Sequence, residues 1–229
     1  YIALLYAWLL SGAFLFSQDC IIVVDATGSM KDPLGKEPRG IGKNKFDPRK
    51  PKHEHVQKAL VKYLDNTPLA GQRVYIYFFN NGNDGEKEEG KEEFVFNVQE
   101  EKDKALKFAK DYGKFIGDKT HLWSSFHEAL TFGEKNGYYK AADPKKGQPE
   151  IFPTVILLSD GLDIQTDGGW VLKKDETKKP AILDNHKWLC RQKAAQWLLV
   201  GVNKVEAAGL IKAWEGEDKG GEGCKGIGK

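Results

Sequence analysis

Five apolar runs set what this chain can fold into: Cys20–Val24, Val74–Phe79, Phe94–Val98, Thr154–Leu158 and Trp197–Val202. Most are unbroken by polar residues. A strand with one wet face alternates, whereas a continuous run is covered on both faces, as in a parallel sheet between helices. Between the runs, Val56, Ala59, Leu60, Tyr63 and Leu64 recur at helical spacing. Ala105, Phe108, Ala109, Tyr112 and Ile116 form a second stripe, and Leu122, Phe126, Ala129, Leu130 and Gly133 a third. Residues 186–195 and 205–214 are weaker helical patterns. The polar stretch Asn80–Glu93 contains Asn-Gly and Asp-Gly, which predicts a hairpin and one antiparallel strand at an edge. Strands alternating with helices predict an α/β fold: a doubly wound, mostly parallel central sheet with one antiparallel edge strand and helices on both faces.

The 229 residues are 40% hydrophobic and 30% charged, the profile of a globular protein. Residues 1–18 open with an uncharged apolar run that reads as a signal peptide or membrane anchor, with a buried first element as the bland alternative. The first two readings place the remainder outside the cytoplasm, secreted or at the cell surface or periplasm. One domain is expected over 19–215, followed by a glycine-rich tail at 216–229. The net charge of +2 is a cancellation. Residues 31–52 hold eight basic residues against three acidic, and residues 84–103 hold nine acidic against three basic. Both stretches read as loops. The basic one lacks interleaved aromatics apart from Phe46, so no nucleic-acid partner is expected.

In an open α/β sheet, ligands bind beyond the carboxyl ends of the strands. After the first run stands Asp25-Ala26-Thr27-Gly28-Ser29-Met30, after the fourth Ser159-Asp160-Gly161, and before the third helical stripe Thr120. All carry short oxygen-bearing side chains, the donors that Mg²⁺ and similar hard cations prefer. The competing reading makes these residues helix caps and turns. His53-Glu54-His55 lacks a spaced Cys/His set and does not read as a zinc site. Neither a phosphate-cradling loop nor a Gly-x-Ser-x-Gly elbow is present.

These residues resemble the von Willebrand factor A (VWA) domain, a Rossmann-like fold with a metal-ion-dependent adhesion site. That site reads Asp-x-Ser/Thr-x-Ser after the first strand, then a separate Thr, then an Asp in a later loop. Asp25, Thr27, Ser29, Thr120 and Asp160 match it in order, and the resemblance runs from Cys20 to about Trp214. It implies Mg²⁺ (or Mn²⁺ or Ca²⁺) held by those five residues; Gly28, Gly161 and Asp163 are expected beside them as binding residues, and His121, next to Thr120, reads as a rim residue or a plain surface histidine. It also implies adhesion-type binding rather than catalysis, an exposed acidic residue of a protein partner completing the ion's coordination. Membrane contact is expected only through an uncleaved N-terminal segment. The alternatives are a metal-dependent hydrolase or phosphoryl-transfer enzyme, and an assembly module with a structural ion. Two stretches depart from the family pattern, Met30–His53 and Asp163–Asn185; they read as a partner-selecting rim or as tolerated surface insertions. Cys190 with Cys224 and Cys20 with Cys224 both stand as pairings, the latter because some relatives close the domain ends with a disulfide.

Overall fold

The apolar runs form the middle of a five-stranded sheet in the order β3-β2-β1-β4-β5. The strands are β1 (Cys20–Asp25), β2 (Arg73–Phe79), β3 (Gly90–Val95), β4 (Thr154–Ser159) and β5 (Trp197–Gly201). This is a computed structural model, and it describes residues 18–33, 49–80, 90–117, 121–159, 170, 181–191 and 197–201. Every neighbouring pair is parallel except β2–β3, so the chain is an α/β protein with a mixed sheet. β1 and β4 are buried at every residue, as their continuous apolar sequences require.

The helices are α1 (Lys52–Asn66), α2 (Gln99–Lys110), α3 (Leu122–Lys135) and the single turn α4 (Ile182–Asn185). Alternate side chains of the strands feed two separate cores. Cys20, Ile22 and Val24 of β1 join α1 and α2 on one face, through Val56, Leu60, Leu64, Ala105 and Ala109. Ile21 and Val23 join α3 and α4 on the other, through Phe126, Ala129, Leu130, Ile182 and Leu183. The two faces follow from chain direction. From β1 the chain crosses to β2 on one side and later to β4 on the other, and right-handed crossovers in opposite directions place their helices on opposite faces. Gly133 in the α3 stripe has a packing reason, since a Cβ there would lie 2.4 Å from Ile21 Cδ1.

Several boundaries differ from the sequence expectation. The edge strand covers Gly90–Val95 rather than Phe94–Val98, and residues 96–98 form a turn. Part of 84–103, expected as a loop, is therefore β3 and the first turns of α2. The second stripe does not continue as helix to Ile116. α2 ends at Lys110, and a 3₁₀ turn over Tyr112–Phe115 keeps Tyr112 in the core while Ile116 is buried just beyond it. Of the helical pattern at 186–195, the described part forms a 3₁₀ turn at Lys187–Arg191 just after α4, and residues 192–195 lie outside the described residues. The end of the presumed 163–185 insertion is core, with Ala181, Ile182 and Leu183 buried. Residues 1–17, the 205–214 pattern and the 216–229 tail lie outside the described residues. Among the described residues, no helix is long and apolar enough to cross a membrane.

Candidate metal site

Strand order reverses at β1, whose neighbours β2 and β4 are reached in opposite directions. The crevice beyond the carboxyl end of such a strand is where open α/β sheets bind ligands. Asp25 ends β1 there, wholly buried, with Thr27 (1% exposed) two residues on and Ser159 (0%) at the end of β4. The backbone N–H of Thr27 donates to Asp25 Oδ1 at 2.9 Å, and Ser159 Oγ donates to Oδ2 at 2.7 Å. The carboxylate is thus held at both oxygens by neutral donors. Thr27 Oγ1 lies 3.0 Å from Ser29 Oγ. The backbone turns at once into a short 3₁₀ segment, Gly28–Lys31, which brings Ser29 back beside Thr27.

The rim of the crevice is pinned to the end of β1. Tyr112 Oη donates to the carbonyl of Asp25, and Gly117 N donates to Ala26 O at 2.8 Å. Ala26 N in turn donates to Phe79 O at 2.9 Å. His53, on α1, donates through Nδ1 to Met30 O at 3.2 Å and meets the Tyr112 ring edge-on. It clasps α1 to the turn after β1. The basic stretch after Met30 leaves and returns at one point: Lys52 N donates to Asp32 O at 3.0 Å, and Pro33 bridges Pro51. That excursion is therefore rooted beside Ser29.

Of the expected site residues, the structure brings Asp25, Thr27 and Ser29 together, with Gly28 between the two hydroxyls. His121 precedes α3, partly buried, with Nδ1 enclosed and without a partner among the described residues. Thr120, Asp160, Gly161 and Asp163 lie outside the described residues. The sequence offered Ser159 only as an oxygen-bearing residue after the fourth run and gave no role to Asn80; in the structure Ser159 touches Asp25, and Asn80 is buried just past β2. A rule that inspects the last residue of every strand and the first one beyond it finds both.

The donor set fits a hard divalent cation. It offers one carboxylate and hydroxyl oxygens, without thiolate or imidazole. The 3.0 Å between Thr27 Oγ1 and Ser29 Oγ is close to the separation of adjacent oxygens in an octahedron with Mg²⁺–O bonds of about 2.1 Å. Among the described residues, no three His, Cys, Asp or Glu side chains form a metal cluster. Cys20 is a free, buried thiol pushed up to about 12 by desolvation, so the Cys20–Cys224 pairing is ruled out; Cys190 is disulfide-bonded. No protein-family model, curated protein or solved structure matches the chain.

A second polar cluster lies on the α3 face. Glu134 Oε1 accepts from His186 Nδ1 at 2.8 Å and from Trp188 Nε1 at 2.6 Å. A carboxylate can only accept, so His186 carries a proton on Nδ1, and its Nε2 shares a hydrogen bond with His127 Nδ1 at 2.9 Å. His127 Nε2 is left facing Thr131 Oγ1 at 3.5 Å, and its ring stacks on Trp170 at 3.5 Å. Burial, then the neighbouring His186, hold the His127 pKa below the ordinary imidazole value, against the opposing pull of Glu134 and Glu128. The unfolded chain therefore takes up this proton first. Stability is fully present above about pH 6.5 and falls as pH drops below it. Melting temperature recorded from pH 8 to pH 5 should fall more steeply for the native chain than for His127→Gln. Parallel profiles would remove His127 from the account.

Proposed function

We propose that this chain is a VWA-type domain, a doubly wound Rossmann-like fold, that binds a protein partner through a Mg²⁺-class ion at Asp25, Thr27 and Ser29. Thr120 and Asp160 complete the protein's share of the ligands in this reading. The observation that carries it is the pair of hydroxyls 3.0 Å apart beside a buried carboxylate. That cluster stands at the end of the strand where the sheet order reverses. Buried charges in proteins are paired or coordinate cations. With few anionic ligands the ion stays electrophilic and takes a carboxylate from outside. Asp25 supplies charge, Thr27 and Ser29 supply neutral oxygens, and Ser159 with the Thr27 amide fixes which way the carboxylate faces.

The partner's surface is acidic in this reading. The basic excursion after Met30 is rooted at the site, and Lys31 and Lys50 at its two ends are exposed. The disulfide at Cys190 suits an oxidising compartment, which favours a secreted or surface location. Calorimetric titration of the full chain tests the function. Mg²⁺ or Mn²⁺ should bind at one saturable site, and a peptide rich in Glu and Asp should then bind in Mg²⁺ but not in chelator. A chain that takes up neither ion overturns the reading. Turnover of a phosphoester in Mg²⁺, without peptide binding, replaces it with a hydrolase.

A further inference from the structure

Asn80 is the first residue past β2 and is 1% exposed. Its amide nitrogen donates to the carbonyl of Phe115. Its Oδ1 is buried and has no partner among the described residues. Buried polar atoms are almost always satisfied, so an orphaned acceptor beside a candidate ligand site asks for a donor beyond those that the described residues supply. The surroundings place Asn80 next to the candidate site. Gly117 lies so close that a Cβ on it would stand 3.0 Å from Asn80 Cβ and 3.1 Å from Cγ. Gly117 also donates its N–H to Ala26 O, one residue beyond Asp25. Asn80 thus stands where three pieces meet: the exit of β2, the exit of β1, and the Phe115–Gly117 segment. Thr120 follows Gly117 by three residues, at most about 11 Å of chain.

Resting on the reading of Asp25 as part of a cation site, we propose that Asn80 is a positioning residue for that site, its Oδ1 accepting a hydrogen bond from a water in the ion's shell. Mg²⁺ dehydrates reluctantly and keeps several waters, whose hydrogens need acceptors, whereas Ca²⁺ exchanges waters for protein oxygens more readily. Losing an acceptor beyond the ligands themselves therefore weakens Mg²⁺ more than Ca²⁺.

The test titrates Mg²⁺ and Ca²⁺ into the native chain and into Asn80→Leu, Asn80→Asp and Asp25→Asn, with circular dichroism and melting curves to establish folding. Leu matches Asn in size and removes both polar atoms. Asn80→Leu is expected to bind Mg²⁺ about tenfold more weakly and Ca²⁺ with little change. Asn80→Asp keeps the acceptor, replaces the donor to Phe115 by a second oxygen with added negative charge, and should keep the native preference for Mg²⁺. A folded Asn80→Leu with both affinities unchanged, or both reduced by one factor, overturns the role of Asn80. So does an Asn80→Asp that loses the Mg²⁺ preference, which keeps the test decisive even where the Leu variant does not fold. These results leave the Asp25 reading standing wherever the native chain binds Mg²⁺ and Asp25→Asn does not. A native chain that binds neither ion sinks the Asp25 reading, and the role of Asn80 with it.

Discussion

Asp25→Asn should fold as the native chain does and lose Mg²⁺ binding by about 100-fold or more. The substitution is nearly isosteric. Asn keeps an Oδ1 to accept from the Thr27 amide, now 2.9 Å from the carboxylate. At the other position an NH₂ replaces Oδ2, and the Ser159 hydroxyl, at 2.7 Å, rotates from donor to acceptor. What disappears is the negative charge at the end of β1. Neutral oxygens bind a divalent ion poorly without a carboxylate, because the ion gives up hydration that uncharged dipoles replace only in part. Thermal melting reads this directly. At a Mg²⁺ concentration about 100 times Kd, binding to the folded state alone adds about 2.7 kcal/mol. For a chain of 229 residues that is a rise of about 5–10 °C. The native protein should show that rise and Asp25→Asn should show none. An equal rise in both would place the ion elsewhere, and no rise in either would remove it.

Most of the sheet was legible because a strand buried on both faces has only one chemical solution, a run of apolar residues such as CIIVVD or TVILLS. The edge strand was not. β3 reads GKEEFV, with Lys91, Glu92 and Glu93 exposed. Charge on an edge keeps other chains from pairing with it, and that protection erases the apolar pattern that announces a strand. The second helical stripe misled for a different reason. After Lys110 the backbone tightens, yet a 3₁₀ turn still carries Tyr112 into the core, so apolar spacing outlasts the α-helix. At the site, Asp25, Thr27 and Ser29 stood out as a string. Asn80 did not, and Ser159 showed only as an oxygen beside Asp160, because each is a single residue whose contact exists only once the strands lie side by side. An Asn before Asn-Gly reads locally as nothing more than a turn.

Phe78→Ala should be the most damaging single change in the core and should also weaken the ion. Phe78 is fully buried in β2. Its ring stacks on Phe108 at 4.9 Å and lies against Tyr112 at 5.0 Å and Phe115 at 5.3 Å. Truncating a buried Phe costs about 3–5 kcal/mol, the lost transfer energy plus the cavity, or about 6–20 °C in a chain of this size. Two of the rings it supports belong to the rim. Tyr112 donates to the Asp25 carbonyl, and the Phe115 carbonyl accepts from Asn80. The 3₁₀ turn that carries them settles into the cavity, and the backbone around Asp25 moves with it. Leu130→Ala is the comparison. Leu130 is equally buried, but in the core on the opposite face, two turns into α3. Its cost of about 2–5 kcal/mol is similar, and among the described residues its core includes none of residues 112–117. Mg²⁺ affinity measured well below both melting points should therefore fall for Phe78→Ala and hold for Leu130→Ala. If the two variants bind Mg²⁺ alike, support from the β2 core is not what places the rim, and the tie between fold stability and ion binding is broken.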